Sequence, residues 1–304
     1  MHRKQLRCNA DVYKKYGLQQ STLAPLKHSK LQGVVEGETP WLDNHQITSE
    51  AIKQHPKFST LSELEQAQVL TWPNNGYMVL PQYFNEAEVD TINSEVDNLL
   101  QMQAAQHRLD ERIIFAIHKS EKIHAISTKQ ALMNLLGFVL GKPVRLFQSL
   151  NFINGSKQLA HSDTIHMTTH PLGYMIAVWI ALEDIHADSG PLFYYPGTHK
   201  LPYVLKEDYQ HGGNYFLHGE GDYQKYEQAI AGIIAQNKLA PQTFLAKKGD
   251  AFVWHANILH GGSPIVNPAL TRKSMVLHFF AEDVICYHEI TERPAIFGGK
   301  EASC

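Results

Sequence analysis

Cysteine is scarce: the 304 residues hold only Cys8, Cys286 and Cys304. Three scattered thiols cannot form a disulfide framework, and their scarcity fits a reducing compartment. No run of about 18 apolar residues occurs, so no membrane-spanning helix is expected. The opening MHRKQLRCNADVYKKYG is basic but has no apolar h-region, so it does not read as a secretory signal. Cytoplasmic location is the resulting expectation. Neither sign of charge dominates, with 27 Lys and Arg against 30 Asp and Glu and a formal net charge of −3. Without a basic arm or patch, nucleic acid is not an expected partner, and a small molecule is. Internal repeats and low-complexity tracts are absent. So are His-x-His and His-Glu-x-x-His, which argues against a zinc hydrolase.

What is present is enough apolar residue for a sizeable core, 43% against 19% charged, in one large domain with decorations. Residues 1–70 are polar and irregular, broken by Pro25, Pro40 and Pro56, and read as an extension packed on a core. Within them LSELEQAQVLTW reads as a short helix ending before Pro73, with a capping-box spacing from Thr60 to Glu63. The core, 71–304, opens with GYMVLPQYF (76–84) as a strand. Val89, Ile92, Val96, Leu99 and Leu100 then recur at helical spacing, and ALMNLLGFVL (131–140) reads as a second helix stopped at Gly141-Lys142-Pro143.

After Pro143 the composition turns to strands. VRLFQSLNFI, GYMIAVWIAL, GPLFYYPG, QTFLAKKGDAFVW and KSMVLHFFAEDVICY are β-branched and aromatic, bounded by turn residues. The pattern predicts a mainly β chain with flanking helices, built as an antiparallel sandwich or barrel. A long insertion at about 198–241 interrupts it. The insertion carries Tyr203, Tyr209, Tyr215, Phe216, Tyr223 and Tyr226, with Tyr226, Ile230, Ile233 and Ile234 on one helical face. It reads either as a lid or as a helix on the outside of the sheet.

Histidine is the compositional excess, 18 in all. His161 and Asp163 stand two apart, and in extended chain i and i+2 point the same way. With a second histidine they make a 2-His-1-carboxylate set, which leaves open positions on Fe(II) for oxygen chemistry. The spacing alone is weak, because about one His-x-Asp is expected by chance at this composition. His186-Ala-Asp188 is another, in a polar turn, and His218-Gly-Glu220 is similar, in a glycine-rich loop. For the third ligand KKGDAFVWHANILHGGSP offers His260, at a strand end, and His255, which also reads as a hydrogen-bonded core histidine. Twelve residues after His260 stands Arg272, on a returning strand. A guanidinium fork suits a carboxylate, although a surface arginine at a strand start is the plain alternative. Arg272 and Ser274 share one face there, Lys273 and Met275 the other. His166 and His170 are candidates for substrate contact or for exposed loop positions.

Together these residues resemble the phytanoyl-CoA dioxygenase family of 2-oxoglutarate oxygenases over roughly residues 70–287. The resemblance rests on GYMVLPQYFNEAEVD, His161-Ser-Asp163, WIALEDIHADSGPLFYYPGTHK (179–200), HANILHGGSP and TRKSMVLHFF. It implies a double-stranded β-helix (jelly-roll, cupin-like) core with helices against one sheet. It places Fe(II) on His161, Asp163 and His260, and the 2-oxoglutarate carboxylate on Arg272. It places Trp179 in the co-substrate pocket and a hydroxyl near Ser263, where His-Gly-Gly-Ser departs from the commoner His-Gly-Ser. Gln148 is a further pocket candidate. The implied reaction uses O2 to oxidise an unactivated C–H, hydroxylation first, and Asp163 speaks against halogenation. The competing readings are a catalytically silent jelly-roll that binds a ligand and a cupin-type metal enzyme without 2-oxoglutarate.

Overall fold

The computed structural model describes residues 3–31, 38–44, 46–102, 108–109, 112–209 and 222–297. Four short helices begin the chain: α1 (Arg3–Arg7), α2 (Ala10–Lys15), α3 (His28–Leu31) and α4 (Ser49–Gln54). Helix α5 (Glu63–Asn75) starts two residues later than the Thr60 spacing predicts. Ser62 accepts the Glu65 N–H and Glu65 reaches back to Ser62, so the true capping box is one Ser-x-x-Glu downstream. Thr60 instead donates to the Lys57 carbonyl. The helix also runs through Pro73 rather than stopping before it, and ends at Gly76, whose φ of 71° takes the left-handed cap. Burial of Val69 and Trp72 on the core offsets the lost hydrogen bond at Pro73. Helix α6 (Glu86–Gln101) follows, capped by Asn85 with Glu88 and burying Val89, Ile92, Val96 and Leu99. Helices α7 (Glu121–Ser127) and α8 (Gln130–Leu140) complete the layer.

A seven-stranded sheet carries the fold. Its strands are β1 (Tyr77–Leu80), β2 (Arg108–Leu109), β3 (Arg112–Ile114), β4 (Val144–Phe152), β6 (Met175–Ala181), β9 (Ala251–His255) and β11 (Ser274–Ala281). They lie in the order β1-β9-β6-β11-β4-β3-β2, and every pairing is antiparallel. A three-stranded sheet orders β10 (His260–Gly262), β7 (Leu192–Tyr194) and β8 (Gln242–Phe244). Another orders β13 (Arg293–Pro294), β12 (Ile285–His288) and β5 (Thr168–His170).

Alternation sorts the side chains of the large sheet. Ile176, Val178, Ile180, Val253, Met275, Leu277 and Phe279 pack against Val89, Ile92, Leu132, Leu135 and Leu136 of the helices. Each such side chain contributes about 1.5–3 kcal/mol by leaving water. Phe152, Trp179, Phe252, Trp254 and Val276 take the opposite face and meet Leu192 and Tyr194 of the β10-β7-β8 sheet. Two sheets facing across a core with helices behind one of them make the double-stranded β-helix that the resemblance implies. A register shift between His278 and Phe279, where Gln148 and Leu146 are the partners, leaves Phe147 unpaired and re-aims β4 at this point.

The segments outside the sheets are well anchored. Leu42, Ile52 and Leu61 join the helix-side core, and Tyr13, Tyr16, Leu26 and Leu31 pack on Ile285 and Tyr287 of β12. In the insertion, helix α9 (Asp222–Gln236) buries Tyr226 and Ile230 against Ile165, Tyr195 and Leu259. Tyr215, Phe216, His218 and Glu220 lie outside the described residues. Among the described residues no helix is long and apolar enough to cross a membrane. Cys286 is a free, buried thiol.

Candidate active site

Three groups converge at the mouth between the two facing sheets. His161 forms a two-residue bridge with His260, each amide donating to the other's carbonyl at 2.9 Å. Ser162 is extended, and Asp163 opens a short 3-10 turn, so His161 and Asp163 point the same way. One ligand atom from each of His161, Asp163 and His260 lies within 4.8 Å of the others, and all three residues are buried. Both imidazoles are oriented from behind: His161 Nδ1 lies 2.8 Å from the Leu159 carbonyl and His260 Nδ1 3.0 Å from that of Ile258. A carbonyl can only accept, so each Nδ1 carries the proton and each Nε2 presents a lone pair. Burial, then the neighbouring His260, lowers the His161 pKa to about 4, so this imidazole is neutral at physiological pH. For Asp163 burial acts upward, but His260, His278 and His161 outweigh it and hold the carboxyl well below the usual range. Two imidazoles held through Nδ1 and one carboxylate form a donor set that fits a divalent first-row metal.

The sequence reading missed the groups that position Asp163. Trp254 Nε1 donates to Asp163 Oδ2 at 2.8 Å, while Oδ1 lies 3.6 Å from His260 Nε2. His278 Nε2 approaches Oδ2 at 3.7 Å. Alternation could have flagged both, since Trp254 shares a face with Phe252, and His278 with Ser274 and Arg272. It identifies a face, however, and not a partner.

Register explains why Arg272 and Trp179 meet. Across the large sheet Phe152, Ser274 and Ala181 stand in one row; Leu150, Val276, Trp179 and Phe252 form the next; Gln148, His278, Ala177 and Trp254 the one after. The Arg272 guanidinium lies 5.4 Å from the Phe152 ring and 5.9 Å from that of Trp179. It is 2% exposed, burial lowers its pKa to about 10, and no carboxylate among the described residues pairs with it. Its Nε, Trp179 Nε1 and Ser274 Oγ are all buried without a partner. Gln148, half-buried, shares this face next to His278.

Ser263 lies just beyond the end of β10. His260 and Gly262 pair with Tyr194 and Leu192, which face the inter-sheet core. The extra glycine therefore shifts Ser263 to the outer face, where its amide bonds the Pro191 carbonyl. A Cβ at Gly261 would stand 2.5 Å from Phe193 and 2.6 Å from the Gln158 carbonyl, so the second strand position tolerates only glycine.

The remaining histidines separate cleanly. His255 points through the sheet to the helix side, 2.9 Å from Asp43. There it lines, with Asp43, His170, His199 and Tyr203, a cavity of about 780 Å³ that neither the triad nor Arg272 borders. His170 belongs to that cavity, beside Tyr16. His186 and Asp188 are exposed and close a turn. His166 stays near the triad: it stacks on Tyr223 of α9 at 5.6 Å and lies 5.4 Å from His288. Burial, then His288, lowers its pKa to about 3. Tyr226, on the same helix, is fully buried, and its hydroxyl accepts the N–H of Ser162 at 2.8 Å, between the two members of the His161/Asp163 pair.

Comparison with known proteins agrees with this geometry. The family model described as Phytanoyl-CoA dioxygenase matches residues 72–274, which take in the whole triad and Arg272. The ectoine dioxygenase of Stutzerimonas stutzeri (strain A1501) is 25% identical over 268 residues, covering 79% of this chain and 87% of that one. The bovine (Bos taurus) phytanoyl-CoA dioxygenase domain-containing protein 1 is 32% identical over 95 residues, 31% of each chain. Among solved structures, the α-ketoglutarate-dependent carbocyclase SnoK from nogalamycin biosynthesis superposes with a TM-score of 0.61 at 15% identity, covering 81% of this chain and 96% of that one. EctD from S. alaskensis with bound Fe gives 0.53 at 22% identity, covering 73% and 77%.

Proposed function

The chain belongs to the phytanoyl-CoA dioxygenase family, and on that premise we propose that His161, Asp163 and His260 hold the Fe(II) of a 2-oxoglutarate-dependent oxygenase while Arg272 takes the far carboxylate of the co-substrate. Bound there with 2-oxoglutarate and O2, Fe(II) supplies the oxidation of an unactivated C–H, hydroxylation first, with release of succinate and CO2.

The protein's share is placement. Leu159 and Ile258 carbonyls fix the imidazole tautomers, and Trp254 turns one carboxylate oxygen of Asp163 toward His260. A guanidinium as buried as Arg272 is costly without an anion, and a dicarboxylate reaching from the triad supplies one. Trp179 and Ser274 offer it further donors, and Gln148 borders the same pocket. The insertion forms the outer wall, where His166 and Tyr223 stack beside the triad and exclude water from one side. Residues 1–70 serve as an extension that buttresses the core. The substrate is a small molecule.

The observation that carries this reading is the convergence of three buried ligand atoms within 4.8 Å. Its test is succinate formation by protein loaded anaerobically with Fe(II), then given 2-oxoglutarate and O2. The expected outcome is slow succinate release that requires Fe(II) and falls to background in Asp163→Ala. Absence of both succinate and a visible Fe(II)–2-oxoglutarate absorption band in the unaltered protein would overturn the assignment.

A further inference from the structure

Arg112 gives this face a positive charge that the proposed metal and co-substrate do not use. The register fixes its direction: Arg112 stands opposite Phe152, Phe152 opposite Ser274, and Ser274 opposite Ala181. Residues directly across antiparallel strands share a face, and Phe152 is on the face that meets the small sheet. Arg112 therefore projects over the site. Its guanidinium lies 5.5 Å from the Phe152 ring, with Arg272 at 5.4 Å from that same ring. Its charge acts on both His161 and Tyr223, so the triad and α9 are both within its electrostatic reach. Half-buried at the mouth, it forms no ion pair with any carboxylate among the described residues.

Charge balance identifies what it awaits. The two charges of Fe(II) and the one of Arg272 are matched by Asp163 and the two carboxylates of 2-oxoglutarate. Arg112 is left over, half-buried above the site with its guanidinium fork unmatched by an anion. Of the carboxylates near it, Asp163 belongs to the triad and Glu227 acts on Tyr223 from α9, and neither forms an ion pair with Arg112. A guanidinium fork held over an aromatic ring is suited to a planar carboxylate or a phosphate. We propose that the substrate is a small organic anion whose carboxylate or phosphate docks on Arg112, with its reactive carbon turned toward the triad. This rests on the oxygenase reading above and adds the substrate class to it.

The experiment uses the full chain loaded anaerobically with Fe(II) and 2-oxoglutarate. Three probes of matched length, hexanoate, hexyl phosphate and hexanamide, are titrated while the visible band of the complex is followed, so binding is read without turnover. At least one anion is expected to perturb the band at a concentration about tenfold or more below hexanamide, and the better of the two identifies the anionic group. Arg112→Gln should raise that half-saturating concentration by about 10–100-fold, the range of a charge-assisted pair. Arg112→Lys should recover part of the loss, and 2-oxoglutarate affinity should stay within about twofold in both variants. The proposal is overturned if hexanamide binds as well as the anions, or if neither anion perturbs the band up to about 10 mM. It is equally overturned if Arg112→Gln leaves anion binding unchanged, or weakens 2-oxoglutarate instead. An unaltered protein that forms no band at all sinks the oxygenase reading itself, which separates the two failures.

Discussion

A buried guanidinium costs several kcal/mol of desolvation unless an anion meets it, and among the described residues no side chain around Arg272 carries a negative charge, while Trp179 and Ser274 offer donors. Ser274 Oγ, Trp179 Nε1 and Arg272 Nε are all buried and unpartnered on one face, which is the signature of a site completed by an acceptor-rich ligand. On the proposed reading, Ser274 rather than Ser263 offers the hydroxyl to the co-substrate. Ser274→Ala is expected to raise the KM for 2-oxoglutarate by about 10–100-fold, the value of a hydrogen bond to a charged group, with kcat nearly unchanged. Ser263→Ala should stay within about twofold. Steady-state succinate assays on the two variants decide it, and a larger effect from Ser263 would return the role to β10. That His161 and Asp163 point one way was legible because a two-residue spacing in extended chain fixes a shared direction, but spacing alone did not separate them from His186 and Asp188; the resemblance did. The hydroxyl was not legible, because one inserted glycine flips a side chain to the other face and only the pairing of β10 with β7 reveals it.

At the scale of elements, the helix of the insertion is bound into the site. Tyr226 of α9 accepts the Ser162 amide at 2.8 Å and lies 3.1 Å from Ser162 Oγ, which in turn is 2.6 Å from Thr164 Oγ1. One hydroxyl thus fixes the backbone between His161 and Asp163 and ties it to the wall that carries Tyr223. Tyr226→Phe keeps the packed ring and removes only the hydroxyl, leaving a buried amide unsatisfied at a cost of about 1–3 kcal/mol. Fe(II) affinity is expected to fall by about 10-fold or more, as for other groups that orient metal ligands. Direct anaerobic metal titration measures this apart from turnover. Unchanged affinity alongside lowered thermal stability would show that the hydroxyl serves only the fold.

The strands and their faces were readable because alternation on β6, β9 and β11 is regular and each face meets a different layer. The helical face of α9, with Tyr226 and Ile230 inward, was readable too. What it covers was not, since periodicity cannot say which neighbour a face meets. The start of α5 shows the same limit: Thr60 and Glu63 hold the capping-box spacing, yet the helix is capped by Ser62 with Glu65.

Across the whole molecule the site and its support are separate. Helices α2 and α3 pack on β12. They close the far side, where Leu26 is buried with Tyr13, Tyr16 and Leu31 against Ile285 and Tyr287 and its amide donates to the Glu292 carbonyl at 2.8 Å. Lys206 and Lys27 add charge at Glu292, so the extension, the start of the insertion and the segment after β12 meet at one place. Leu26→Ala opens a cavity in that contact and is expected to cost about 2–5 kcal/mol, measured by urea denaturation. Because the extension bears on β12 rather than on the ligand strands, Fe(II) and 2-oxoglutarate affinities should match the unaltered protein at temperatures where the variant stays folded. Bound ligands stabilise only the folded state, so saturating Fe(II) and 2-oxoglutarate should raise the variant's melting temperature as they raise that of the unaltered chain. A variant that kept its stability but lost metal or co-substrate binding would show instead that the extension shapes the site directly, through the layer between β12 and the triad.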